Sequence, residues 1–278
     1  MDACTLCPRM CGVNRAAGEK GYCGMDATIR AARAALHMWE EPCISGTQGS
    51  GAVFFSGCSL RCIFCQNFEI AEGNCAKEIS GERLSEIFLE LQEQGAANIN
   101  LVTAAHYVPA VIESLKKAKA QGMDLPVIYN SSGYERVETV QMLEEVVDVW
   151  LPDFKYMDSK LAFAYSRAKD YPEVTRAAIR EMMKAAGTCA YDEDGYIQKG
   201  VIVRHLILPG HTKNSIAVLD ELYGTYGDDL TISLMNQYTP LPQVRNIPDL
   251  NRRVTKREYE KVLDHALDLG ITQGFFQE

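Results

Sequence analysis

The sequence predicts an α/β fold built on a parallel sheet, preceded by a small cysteine-rich cap. Three observations carry that expectation. Six short runs rich in Val, Ile, Leu and Phe lack a clean polar alternation, as strands buried on both faces do. The stretches between them carry helical spacing and end in glycine. Residues 1–48 lack this rhythm and hold five of the ten cysteines, so we read 1–48 as the cap and 49–278 as the α/β domain.

The first apolar run, 53–56, leads directly into a cysteine loop. After it, Leu84, Ile87, Phe88 and Leu91 recur at i, i+3, i+4 and i+7, and Gly95 stops that helix. Run 99–103 follows, then a helix on Val111, Ile112, Leu115 and Ala118 between Pro109 and Gly122. Runs 126–129 and 146–151 are the third and fourth strands. Pro172 opens a helix carrying Val174, Ala178, Ile179, Met182 and Met183, closed by Gly187. Run 201–208 precedes a helix on Ile216, Leu219, Leu222 and Tyr223, and run 230–234 precedes the last, over 255–269. There Thr255 and Glu258 form a capping box and Gly270 is the stop. Periodicity alone leaves a full barrel, a partial barrel and an open doubly wound sheet as alternatives.

Composition removes several classes of function. With 278 residues and 47% hydrophobic content the chain can bury a large core, which excludes disorder. Twenty-eight basic against 37 acidic residues give a net charge of −9, no footprint for nucleic acid or an anionic membrane surface. No run approaches the roughly 18 apolar residues of a membrane span. The opening MDACTLCPRMCG lacks the apolar core of a signal peptide. A cytoplasmic protein is expected. In that reducing setting clustered cysteines are more often metal ligands than disulfides.

Gly57-Cys58-Ser59-Leu60-Arg61-Cys62-Ile63-Phe64-Cys65-Gln66-Asn67 spaces three thiols as C-x3-C-x2-C. Three soft ligands on one tight loop suit an iron–sulfur cubane with one iron left open. A structural zinc knuckle completed by Cys75 or a histidine is the alternative. Position favours the first, because the loop follows a strand at the sheet edge where parallel α/β folds bind ligands. With Phe64 at the aromatic position, this loop resembles the C-x3-C-x-aromatic-C signature of the radical S-adenosylmethionine (SAM) superfamily. The run from Gly49 to Cys58, with Cys65-Gln66-Asn67, LCPRMCGVNR, LPDFKY and RHLILPG, is similar to the pyruvate formate-lyase activating-enzyme-like branch.

The resemblance implies a partial (βα)6 barrel holding a [4Fe–4S] cluster on Cys58, Cys62 and Cys65, with SAM on the open iron. It further implies reductive cleavage of SAM to a 5′-deoxyadenosyl radical that abstracts hydrogen from a protein or small-molecule substrate. The electron would come from a low-potential donor such as flavodoxin or ferredoxin. Relatives carry Gly-Gly-Glu after the second strand, whereas this chain has Val102-Thr103-Ala104-Ala105-His106, which leaves Thr103, and after it His106, to receive the methionine amino group. Asn130, in Tyr129-Asn130-Ser131-Ser132-Gly133, resembles the Thr-Asn-Gly step. Lys155, in Asp153-Phe154-Lys155, would meet the SAM carboxylate, with Asp153 in a nearby polar role and a structural ion pair as its rival. Arg204 resembles an arginine that reaches SAM, against the rival of an intramolecular salt bridge. His205 falls on the opposite strand face, a core position.

Cys4, Cys7, Cys11 and Cys23 place four thiols within 20 residues, a strong metal pattern in a segment with too little apolar material to order itself. Structural zinc and an auxiliary iron–sulfur cluster both satisfy it. Cys43, Cys75 and Cys189 read as free cysteines. The expected enzyme is therefore a radical SAM oxidoreductase, a glycyl-radical-enzyme activase or a modifier of another protein side chain or small molecule. A non-catalytic metal protein in electron transfer or assembly is the reading from another class.

Overall fold

A computed structural model describes residues 3–272 and 274–277. In chain order the main elements are β1 (Ile29–His37), α1 (Pro42–Ser45), β2 (Ser50–Phe55), α2 (Phe68–Glu72), β3 (Lys77–Ile79), α3 (Gly81–Glu93), β4 (Ile99–Val102), α4 (Val108–Ala120), β5 (Val127–Ser131), α5 (Val137–Leu143), β6 (Val149–Pro152), α6 (Ser159–Ser166), α7 (Tyr171–Ala186), β7 (Ala190–Tyr191), β8 (Ile197–Leu206), α8 (Thr212–Tyr226), β9 (Thr231–Met235), α9 (Lys256–Leu269) and β10 (Gly274–Phe276). All six apolar runs are strands.

Strand order resolves the alternatives that periodicity left open. β2, β4, β5, β6, β8 and β9 lie side by side in chain order and all run parallel. A doubly wound sheet reverses order at a switch point. This one never does, so right-handed crossovers put the helices on one face and curl the sheet around the other. A seventh parallel strand, β10, extends it beyond β9, while β1 and β3 extend it antiparallel beyond β2. The path ends at β10 and β3, which do not pair with each other, and the barrel is therefore partial.

The segment assigned to the cap also contributes to this sheet. β1 pairs with β2 from Ala31–Phe55 to His37–Ser50. α1 then turns into the barrel, where Cys43 and Ile44 pack with Ile128, Val149, Leu151, Ile197 and Ile202. Those strand residues mark the inner face. One residue over, Tyr129, Trp150, Val201 and Val203 belong to the larger core against the helices. Both faces are buried, which is why the runs show no alternation. α3, α6 and α9 start on side-chain caps from Ser80, Asp158 and Thr255, the last a complete capping box worth about 1 kcal/mol. No helix among the described residues is long and apolar enough to cross a membrane.

His205 lies on the helix side of β8, as alternation requires. Its Nδ1 donates to the Phe154 carbonyl at 2.6 Å, and its buried Nε2 has no hydrogen-bond partner among the described residues. Burial holds its pKa down to about 4 from the ordinary 6.5. His106 is built alike, with Nε2 donating to the Ser56 carbonyl at 2.7 Å. A folded pKa below the unfolded one means stability that is complete above pH 6.5 and lost as pH falls toward 4. Each histidine contributes about 3 kcal/mol across that window. Denaturant unfolding at pH 7 and pH 4.5 should show the fall, and His205→Asn, which keeps a donor for Phe154, should remove part of it.

Candidate active site

The six parallel strands β2, β4, β5, β6, β8 and β9 all end at one cavity of about 250 Å³. The inner-face alternation that starts at Ala52, Asn100, Ile128, Leu151, Ile202 and Ser233 brings Phe54, Val102, Asn130, Asp153, Arg204 and Met235 to its wall. Cys58, Cys62, Cys65 and Phe64 come from the loop after β2. Thr103 and Lys155 complete the set, so all nine cofactor and cluster residues expected around this loop line the same space. His106 does not, being committed to Ser56.

The approach to the loop is tightly held. Gly57 sits at φ 89°, and a Cβ there would overlap Met25 and stand 2.8 Å from the Cys23 carbonyl oxygen. Within the loop Cys65 N–H donates to the Cys62 carbonyl at 3.1 Å, and Leu60 N–H reaches the Cys58 sulfur at 3.4 Å. Leu60 and Phe64 are buried, with Phe64 edge-on to Tyr165 and Tyr238 at centroid distances of 6.4 and 6.1 Å. Ser166 donates to the Cys62 sulfur at 3.0 Å, the kind of contact that tunes a thiolate ligand.

Burial pushes the Cys62 thiol up to about 11 and the Cys65 thiol up to about 12. The other thiols of the loop raise both further, while the Lys155 charge works the other way. Uncomplexed, these are neutral thiols, and a cation is needed to make them thiolates. Among the described residues no three His, Cys, Asp or Glu side chains already stand at metal-holding separations. What gathers Cys58, Cys62 and Cys65 is their common cavity and mutual electrostatic contact, and bringing the three sulfurs onto one cluster would take side-chain rotation. Cys75 does not line this cavity. Three half-buried soft donors without a fourth cysteine fit an iron–sulfur cubane with an open corner.

The wall opposite the loop is ionic. Lys155 pairs with Asp153, and although burial opposes its charge, Asp153 leads the groups that hold its pKa above the usual value. Tyr171, just before Pro172 and not singled out by the sequence, organises this corner. Its hydroxyl receives Lys155 N–H at 3.0 Å and lies 2.8 and 2.9 Å from the Ser132 and Asp153 carbonyls. Gly133, at φ 73°, lies so close beneath Asp153 that a Cβ would collide with its carbonyl oxygen. Arg204 also lines the cavity, but its guanidinium is occupied by Glu40 and Glu41, with Nε to Glu41 at 2.8 Å. The intramolecular salt bridge is thus formed, with acids that no strand-by-strand reading would select.

Thr103 follows β4 at φ 60°, where a β-branched residue is strained by about 1–2 kcal/mol, and its N–H donates to the Asn130 carbonyl at 2.9 Å. The backbone here keeps a glycine-like conformation without a glycine. Thr103→Gly is expected to leave the melting temperature unchanged or raise it slightly, because relief of strain exceeds glycine's extra unfolded entropy of about 0.5–1 kcal/mol. Calorimetry would check this.

A second cavity of about 810 Å³ adjoins the first and shares Phe54, Asn67, Asn130, Arg204 and Met235 with it. It lies between the two ends of the sheet, between Arg33 and His37 of β1 and Phe275 and Phe276 of β10, with Trp39, 86% exposed, at its rim.

Comparison with known proteins gives the following. Residues 52–222 match the model of the Radical SAM superfamily. The chain is 29% identical over 270 residues to an uncharacterized protein of Methanocaldococcus jannaschii, covering 95% of this chain and 74% of that one. Among solved structures, HydG, a maturase of the [FeFe]-hydrogenase, superposes with a TM-score of 0.55 at 16% identity, over 80% of this chain and 50% of HydG. A radical SAM methyltransferase from Sphaerobacter thermophilus also gives 0.55, at 13% identity, over 82% of this chain and 66% of that one. The chain thus spans half of HydG, and at such identities these two likenesses concern the fold alone.

Proposed function

The chain belongs to the radical SAM superfamily, and on that premise we propose that Cys58, Cys62 and Cys65 hold a [4Fe–4S] cluster next to SAM in the cavity at the strand ends. The observation that carries the reading is the convergence of these three thiols and the ends of six parallel strands on one cavity. Holding that cluster and SAM, the site would supply one-electron reductive cleavage of SAM as the source of a radical able to take hydrogen from a substrate. The electron would come from a low-potential donor of the flavodoxin or ferredoxin kind.

The remaining work falls to the chain's own groups. Lys155, fixed by Asp153 and Tyr171, offers its ammonium to a carboxylate, and Thr103 and Asn130 offer oxygen acceptors to an amino group. Phe64, Tyr165 and Tyr238 form an apolar side that keeps water from a reactive species. Arg204 acts by ordering Glu40 and Glu41 where the two cavities meet. The larger cavity gives the substrate its entrance. Its breadth and aromatic rim suit a polypeptide segment, whether the target is a backbone glycine, as for a glycyl-radical-enzyme activase, or a side chain.

Anaerobic reconstitution followed by dithionite and SAM tests the reading through 5′-deoxyadenosine. An intact reduced cluster that leaves SAM whole, with and without added peptides, would remove it.

A further inference from the structure

Cys4, Cys7, Cys11 and Cys23 lie outside both cavities, and the proposed reaction uses none of them. Two tight turns present them. Met10 N–H donates to the Cys7 carbonyl at 3.0 Å just before Cys11, with Met10 at φ 40°. Gly24 N–H donates to the Gly21 carbonyl at 2.9 Å around Cys23. Hydrogen bonds of 3.0 Å from Cys4 N–H to Val13 and from Gly12 N–H to the Cys4 carbonyl close the base of the first turn. The second turn lies against it, since a Cβ on Gly21 would stand 2.5 Å from the Cys11 sulfur. Three of the four thiols are buried, and none is in a disulfide.

Little else holds this segment together from within. Among the described residues up to 28, Leu6 and Met25 are the only other buried apolar side chains. A piece of that size cannot order itself by apolar burial. Yet it grips the cluster loop at defined points. The Arg9 guanidinium donates to the carbonyls of Ser59, Ser166 and Arg167, at 2.9, 2.9 and 2.6 Å, and lies 4.0 Å from the Tyr22 ring centroid. Ser166 in turn touches the Cys62 sulfur, and the Cys23 carbonyl abuts Gly57.

We propose that Cys4, Cys7, Cys11 and Cys23 bind one thiophilic metal centre in closed four-thiolate coordination, and that this centre holds the Cys58–Cys65 loop in place through Arg9. Ligation joins the four sulfurs to the metal and releases their protons to solvent. No three of these sulfurs stand at metal-holding separations, so closing the set takes side-chain rotation at the buried cysteines as well as at the exposed Cys11. Zinc and an iron–sulfur cubane share this chemistry, and the experiment separates them.

The full-length Cys58→Ala/Cys62→Ala/Cys65→Ala variant is loaded anaerobically with zinc alone, or with ferrous iron and sulfide. It is expected to retain about one zinc or about four iron per chain after desalting, the absorption spectrum telling the two apart. Cys11→Ala in the otherwise native chain, a change at an exposed side chain, should lose that same amount relative to wild type. Equal metal content in Cys11→Ala and wild type overturns the site. Arg9→Ala should keep the N-terminal metal while iron in the Cys58–Cys65 loop falls several-fold, and unchanged iron there overturns the coupling. The site does not depend on the radical reading, because a chain that holds metal here and leaves SAM whole would refute only that reading.

Discussion

Cys62→Ala is expected to reduce 5′-deoxyadenosine formation to the level of a protein-free control, with loop-bound iron falling from about four per chain to below one. Of the three thiols, Cys62 is the one most closely engaged by the surrounding protein. It receives the Ser166 hydroxyl at 3.0 Å and lies in the field of Lys155. Removing its sulfur leaves two ligands on a loop that needs three, and no unused cysteine lines the cavity to replace it. Cys62→Ser should fail as well, since a neutral hydroxyl is neither soft nor readily ionised. Cys75→Ala serves as control: its side chain is exposed and outside the cavity, so both readouts should match wild type. Full SAM cleavage by Cys62→Ala would detach the chemistry from this loop.

That loop could be read before the fold was known because its chemistry is local, three thiols within eight residues. The strands were legible for a similar reason, since burial on both faces leaves an unbroken apolar run. What escaped lacked a local mark. β1 reads Ile-Arg-Ala-Ala-Arg-Ala-Ala-Leu-His, buried only near its start and exposed in its middle, so neither a sustained period of two nor an apolar run stands out. α5 and α6 have seven and eight residues, two turns, too few for a helical period to register. Tyr171 carries no local mark of its own: it stands just before the Pro172 that signals a helix start, while its hydroxyl acts at a strand end 39 positions away in the chain. The partners of Arg204 were beyond reach for the plainest reason: Glu40 and Glu41 are more than 160 positions away.

That triad is the basis of the second large effect. Arg204→Met should destabilise the fold by at least about 3–5 kcal/mol, because it leaves two nearly buried carboxylates without their cation. For a chain of this length that lowers the melting temperature by about 10 °C. Adding Glu40→Gln and Glu41→Gln should recover most of the loss, since amides need no counter-charge and Asn100 still donates to position 40. The pH dependence supplies a sign to check. Burial works to raise the Glu41 pKa, but Arg204 outweighs it and holds the carboxyl below its ordinary 4.5. Wild type therefore has this stabilisation in full above pH 4.5 and loses it as pH falls through the lower folded value. In Arg204→Met burial acts alone, the Glu41 pKa rises, and the stability gap between the variant and wild type should narrow as pH falls from neutral toward 5, the contributions of His106 and His205 being common to both. A gap that narrows over this range would identify the pair as the cause. If Arg204→Met and the triple variant were equally destabilised, the acids would not depend on Arg204, and its guanidinium would be free to meet a carboxylate in the cavity.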